Sequence, residues 1–120
     1  FKLPKSTDEE KAARSAAIQE ATRFAALVPM QVARNACELM EIIADVARLG
    51  NQNAITDACV AMMAARSAVL GALLNVRINL GSLKDKTFVD ELKREADHLE
   101  QLACMREKEL LEVVNQELNQ

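Results

Sequence analysis

Apolar residues recur at helical spacing along almost the whole chain, and the pattern is interrupted mainly around Gly50 and Gly81. The stretch "KSTDEEKAAR" reads as a helix start. Ser6 with Glu9, or Thr7 with Glu10, fits a capping box, and Pro4 lies just upstream. Ala13, Ala17, Ala21, Phe24 and Val28 then fall on one stripe. Pro29 interrupts it, because proline lacks an N–H and crowds the preceding turn. Beyond it, Val32, Ala36, Leu39, Ile43, Val46 and Ala47 share a side. Pro29 also suits a first helical turn, so two helices or one bent helix are equally expected. Gly50 is a natural helix-ending residue. A third helix is expected from near Asn53 or Thr56 to Leu80, stopping at Gly81. Thr87 with Asp90 predicts the start of the last. Its apolar stripe is Phe88, Leu92, Ala96, Leu99, Ala103, Leu110 and Val114, interrupted by Arg106. The more charged segment after Cys104 reads as a projecting arm or as the partner of another helix. The short connections predict an all-α, antiparallel bundle of four to five helices.

Composition agrees with a helical core and narrows its chemistry. Half of the 120 residues are hydrophobic, with no Trp, no Tyr and three Phe, so the core must be aliphatic. The net charge of −3, with both signs interspersed and few aromatics, argues against a nucleic-acid surface. Cys37, Cys59 and Cys104 are odd in number and widely spaced, which predicts reduced, buried thiols in a cytoplasmic protein. The apolar run from Ala58 to Leu74 falls short of the about 20 residues that span a bilayer and carries Arg66 at its centre. A core helix is therefore expected there, and no membrane partner. The abrupt start at Phe1 suggests a piece of a longer or processed protein.

The third helix carries the candidate chemistry. At about 100° per residue, Asp57 and Asn75 fall on one face, with Asn79 about 40° away. Between them lie Ala61, Ala64, Ala68, Gly71 and Ala72. Close helix packing explains such a stripe without any ligand, and Asp57 complements the helix dipole. The sharper reading is a groove over small residues in which polar groups orient a flat ligand. Asp57 and Asn75 are about 27 Å apart along the helix, so they share one small ligand only if a second subunit brings another copy across. Arg66 and Arg77 lie on the opposite face with Cys59, Met62, Leu70 and Leu73. They pair with carboxylates or meet an anionic ligand. His98, among charges, reads as a solvated helix residue. No metal-ligand spacing, phosphate loop or Ser/His/Asp set is present in the sequence.

The ordered series "FKLPK", "ST" with Glu9 and Glu10, Val28–Pro29, "GNQNAITDACVA" and "GALLNVRINL" resembles the cyclodeaminase/cyclohydrolase family of folate enzymes over Phe1 to about Leu102. The resemblance implies an all-helical homodimer with a tetrahydrofolate derivative as substrate near subunit contacts; the open small-residue groove itself predicts a dimer or higher homo-oligomer, and the residue spacing predicts no metal. It implies closure of 5-formiminotetrahydrofolate to 5,10-methenyltetrahydrofolate with ammonia release, or interconversion of the methenyl and 10-formyl forms by water addition. Asp57 is then the electrostatic or proton-handling group. Asn75 and Asn79 orient the ligand or line the interface, Arg66 and Arg77 pair internally or bind anions, and Lys2 and Lys5 meet the anionic glutamate tail. Family domains extend upstream of the "KLPK" segment through a Pro/Gly-rich motif and an acidic helix, where further acid/base carboxylates are expected. Residues 1–120 are thus expected to form the C-terminal portion of one domain. A non-catalytic helical interaction or scaffold domain with the same fold is the alternative.

Overall fold

Thr7 starts the first helix. Its hydroxyl accepts from the Glu10 N–H at 3.1 Å, and the Glu10 carboxylate accepts from the Ser6 hydroxyl (2.8 Å) and N–H (3.1 Å). The Ser6 hydroxyl, followed by its N–H, holds the Glu10 carboxyl below its ordinary range. The computed structural model describes residues 2–119, so Phe1 of the opening motif lies outside the described residues. The elements are α1 (Asp8–Leu49), a 3-10 turn (Gln52–Ala54), α2 (Ile55–Leu80) and α3 (Lys86–Leu118). There is no strand among the described residues.

Three α-helices stand where four to five were expected. Pro29 does not end α1, because Ala26, Met30 and Ala33 on either side of it have no exposed surface and are pinned to one core. Gly50 ends α1 for a different reason from a left-handed backbone. Its φ is −86°, and its N–H donates to the Val46 carbonyl at 2.7 Å. A Cβ there would lie 2.5 Å from that oxygen, so the close approach requires glycine. The start of α3 is set by Asp85, whose carboxylate accepts from the Phe88 N–H at 3.2 Å, and not by Thr87, which lies inside the helix.

Helix α2 returns along α1: Asn79 meets Ala25 near one end, and Ile55 lines a cavity with Ala47 at the other. The body they form with α3 measures 73 × 23 × 18 Å. Met30, Met40, Met62, Val69, Leu73 and Val76 are its largest fully buried side chains. All seven apolar residues expected on the α3 stripe are buried, through Leu110 and Val114, so the charged C-terminal half packs rather than projects. Helix α1 departs from expectation. Its buried stripe is Ala26, Met30, Ala33, Cys37, Met40, Ile43 and Ala47, while Phe24, Val28, Val32, Leu39 and Val46 are exposed. The apolar arc of α1 is wider than two neighbours cover, and the bulkier half remains open. Cys37 and Cys59 are buried as expected, whereas Cys104 is exposed.

By length and composition, Gln52–Leu80 also meets the requirement for crossing a membrane. Here that segment packs against α1 and α3, with 39% of its most apolar stretch buried. Arginines tie α3 in place. Arg34 of α1 grips Glu95 in two bonds of 2.5 and 2.6 Å, and Arg106 reaches back to Glu41 at 2.7 Å. Arg23 lies over the Phe88 ring at 4.3 Å, and Gln19 bonds both Ser82 and Lys84 at 3.0 Å, fixing the α2–α3 turn.

The Arg34 guanidinium holds the Glu95 carboxyl below its ordinary range. A carboxylate so lowered stabilises the fold above its unfolded-state pKa of about 4.3 and loses that contribution as pH falls through the lower folded value. With both side chains about one-third exposed, the contribution is about 1 kcal/mol. Urea midpoints of wild type and Glu95→Gln measured at pH 7 and pH 3 are expected to differ at pH 7 and to differ less at pH 3.

Candidate functional site

The wide apolar arc of α1 and the small residues of α2 together shape an open groove. Phe24, Val28 and Val32 form one wall, and Ala68, Ala72 and Asn75 form the other, enclosing about 680 Å³. Alanines at 68 and 72 leave room that longer side chains would fill. Phe24 is 67% exposed and Val28 and Val32 are each 49% exposed, so the walls are apolar and uncovered. Ala25, Pro29 and Asn79 complete the lining.

Asn75 is exposed, and its carboxamide has no hydrogen-bond partner among the described residues. Asn79 is half-buried. Its Nδ2 donates to the Asn75 carbonyl at 2.8 Å and to the Ala25 carbonyl of α1 at 3.4 Å. The two carboxamides therefore sit together at one end of α2. Leu3 lies against Ala17, Ala21 and Asn79 in an adjoining depression, which shares Ala25 and Asn79 with the groove. Lys2 and Lys5 are both exposed and lie one and two positions from Leu3 in the sequence.

Asp57 lies elsewhere. It is exposed in the first turn of α2 and makes no ion pair among the described residues. The helical rise puts it about 27 Å from Asn75. Arg66 and Arg77 face away from the groove, toward α3. Arg66 stands 3.5 Å from Glu107, and Arg77 bonds Asp97 at 3.0 Å and Glu100 at 3.1 Å. The helical wheel had separated these arginines from the asparagines, and α3 occupies the side they face. His98 is exposed on α3. No group of three His, Cys, Asp or Glu side chains able to hold a metal ion occurs among the described residues.

Sequence reasoning missed the α1 wall, because Phe24, Val28 and Val32 look like core residues. The signal was present in the second, parallel stripe of Ala26, Met30 and Ala33, which competes for the same core. A second cavity of about 330 Å³ lies at the other end of the molecule, between Ala47, Ile55 and Leu110. Its Arg106 already pairs with Glu41, and it gathers none of the candidate residues.

The family model described as formiminotransferase-cyclodeaminase matches residues 1–98. A methenyltetrahydrofolate cyclohydrolase of Methylorubrum extorquens is 40% identical over 119 residues, covering 99% of this chain and 57% of that protein. A formimidoyltransferase-cyclodeaminase of Rattus norvegicus is 36% identical over 103 residues, covering 86% of this chain and 19% of that protein. The Sus scrofa protein of the same name is 37% identical over an equal length. The chain thus spans somewhat over half of the cyclohydrolase and about a fifth of the longer relatives.

Proposed function

The chain belongs to the formiminotransferase-cyclodeaminase family, and from that premise we propose that the whole protein processes a tetrahydrofolate one-carbon unit. In the cyclodeaminase form of the reaction, N10 of 5-formiminotetrahydrofolate attacks the formimino carbon. The tetrahedral adduct then takes up one proton on its amino group, expels ammonia and leaves the 5,10-methenyl cation. In the cyclohydrolase form, water adds to that cation, the N5–carbon bond breaks, and one proton is released with 10-formyltetrahydrofolate. Both forms need a group that receives and returns protons and a surface that holds a flat ring.

The observation that carries this reading is the groove: an apolar wall from α1, a facing wall of alanines on α2, and two carboxamides at one end. The walls accept the faces of a ring, and the unpartnered Asn75 carboxamide suits the donor and acceptor edge of a pterin. Lys2 and Lys5 would meet an anionic glutamate tail. Asp57 would handle the proton and stabilise the cationic centre. Arg66 and Arg77 would remain with their α3 partners and add positive potential behind the site.

The separation of Asp57 from Asn75 fits a homodimer or higher homo-oligomer. Position 66 is midway between them, and Ala64 and Ala68 flank it on the open face. A two-fold axis there would set Asp57 of one copy opposite Asn75 of the other, with small residues permitting close approach. The exposed apolar stripe of α1 favours such a covering. In this account residues 1–120 are the C-terminal portion of one helical bundle domain. The rest of such a domain would supply further carboxylates, and the protein is cytoplasmic.

Asn75→Ala in the intact protein tests the groove. A lost neutral hydrogen bond is worth about 1 kcal/mol, so KM for the folate substrate is expected to rise about five- to tenfold with kcat within threefold. An unchanged KM would remove Asn75 from the site.

A further inference from the structure

Asn79 stands out because its bonds answer a defect in another helix. Pro29 sits in the interior of α1 and has no N–H to give to the carbonyl four residues earlier, that of Ala25. Ala25 is exposed, so its freed carbonyl is left to water unless a protein donor reaches it. Asn79 Nδ2 reaches across from α2 to that oxygen at 3.4 Å while also bonding the Asn75 carbonyl at 2.8 Å. Turning the amide over would set Oδ1 against two carbonyl oxygens, so the geometry fixes which atom faces them. Ala25, Pro29 and Asn79 all line the groove, so the repair lies on the groove side of α1.

We propose that Asn79 is a positioning residue for the folate site: it supplies the donor that Pro29 withholds from Ala25 and so sets how closely the two walls of the groove approach. This replaces the ligand-orienting role that its place on the helical wheel suggests. Its two N–H groups are spent on backbone carbonyls, and it acts on the ligand through the position of α1. Asn75, whose carboxamide has no partner among the described residues, is left to meet the ligand. The unit also explains how α1 runs through a proline as a single helix: the bond that proline removes within α1 is remade from α2.

The functional arm of this inference rests on the folate reading, while its structural arm stands apart from it. A double-mutant cycle on the intact protein separates them, using Asn79→Ala, Pro29→Ala and the combination. In Pro29→Ala the new N–H at position 29 bonds Ala25 within the helix, and Asn79 becomes dispensable there. In the wild-type background, Asn79→Ala is expected to lower the folding equilibrium constant about tenfold and to raise KM severalfold with kcat little changed. In the Pro29→Ala background, the same change is expected to alter the folding constant and KM by less than threefold. Equal losses of stability in both backgrounds would overturn the repair. Coupled stability with a KM loss that persists in the double variant would overturn the positioning role and make Asn79 a ligand contact. If Asn79→Ala fails to fold alone, the double variant must fold; an unfolded double variant counts against the proposal. Should no folate reaction be measurable in any of the proteins, the folding constants still decide the repair, and the folate reading fails separately.

Discussion

Asp57→Asn in the intact protein is expected to lower turnover about a hundredfold while leaving the fold in place. The magnitude is the low end of what a positioned proton-transfer group contributes. The substitution keeps shape and removes charge. Asp57 is exposed and makes no ion pair among the described residues, so no internal partner is stranded when its charge disappears. Its one structural contribution is to the N-terminal dipole of α2, worth about 0.3–1 kcal/mol. That end has no side-chain cap at Ala54, so part of the cost will be felt as a slightly lower melting temperature. A loss of turnover with folate affinity retained marks a group acting in the transition state. Unchanged turnover would remove Asp57 from the chemistry and shift the proton-handling role to another group.

Ala68→Trp should have the larger effect on binding. Ala68 is exposed on the groove wall opposite Val32, and its methyl group leaves the space that a ring would occupy. An indole there stands between the walls, and folate affinity is expected to fall by at least a hundredfold, about 2.7 kcal/mol or more. Calorimetric titration of the intact protein measures it. Sedimentation of the same variant separates a blocked groove from a broken assembly. Blocked binding with the assembly intact places the ligand in the groove, whereas unaltered affinity places it elsewhere. Loss of both would make the surface chiefly a contact between copies.

Much of this arrangement is written locally in the chain. The α3 stripe could be read residue by residue because α3 is polar on its other side, leaving one choice of buried face. The placing of Arg66 and Arg77 away from Asn75 also followed from helical periodicity alone. Helix α1 was not legible in that way. Two adjacent apolar stripes compete for one core, and only the positions of α2 and α3 decide that Met30 and Met40 go in while Phe24 and Val32 stay out. Pro29 was ambiguous because its local effect is to break a helix, and the bond that compensates comes from Asn79, fifty residues later in sequence. The start of α3 was misplaced by two residues because Asp85 and Thr87 both suit a cap, and the backbone of Phe88 is within reach of Asp85. The groove itself depends on which α1 stripe remains open, so it could not be seen from α2 alone.

The most direct test follows methenyltetrahydrofolate by its own absorbance band on adding the intact protein to either substrate. Appearance of the band from 5-formiminotetrahydrofolate, or its decay toward 10-formyltetrahydrofolate, at a rate proportional to protein and reduced in Asp57→Asn, is the predicted result. No change with either substrate beyond the uncatalysed rate would contradict the folate account and leave a non-catalytic helical interaction domain in its place.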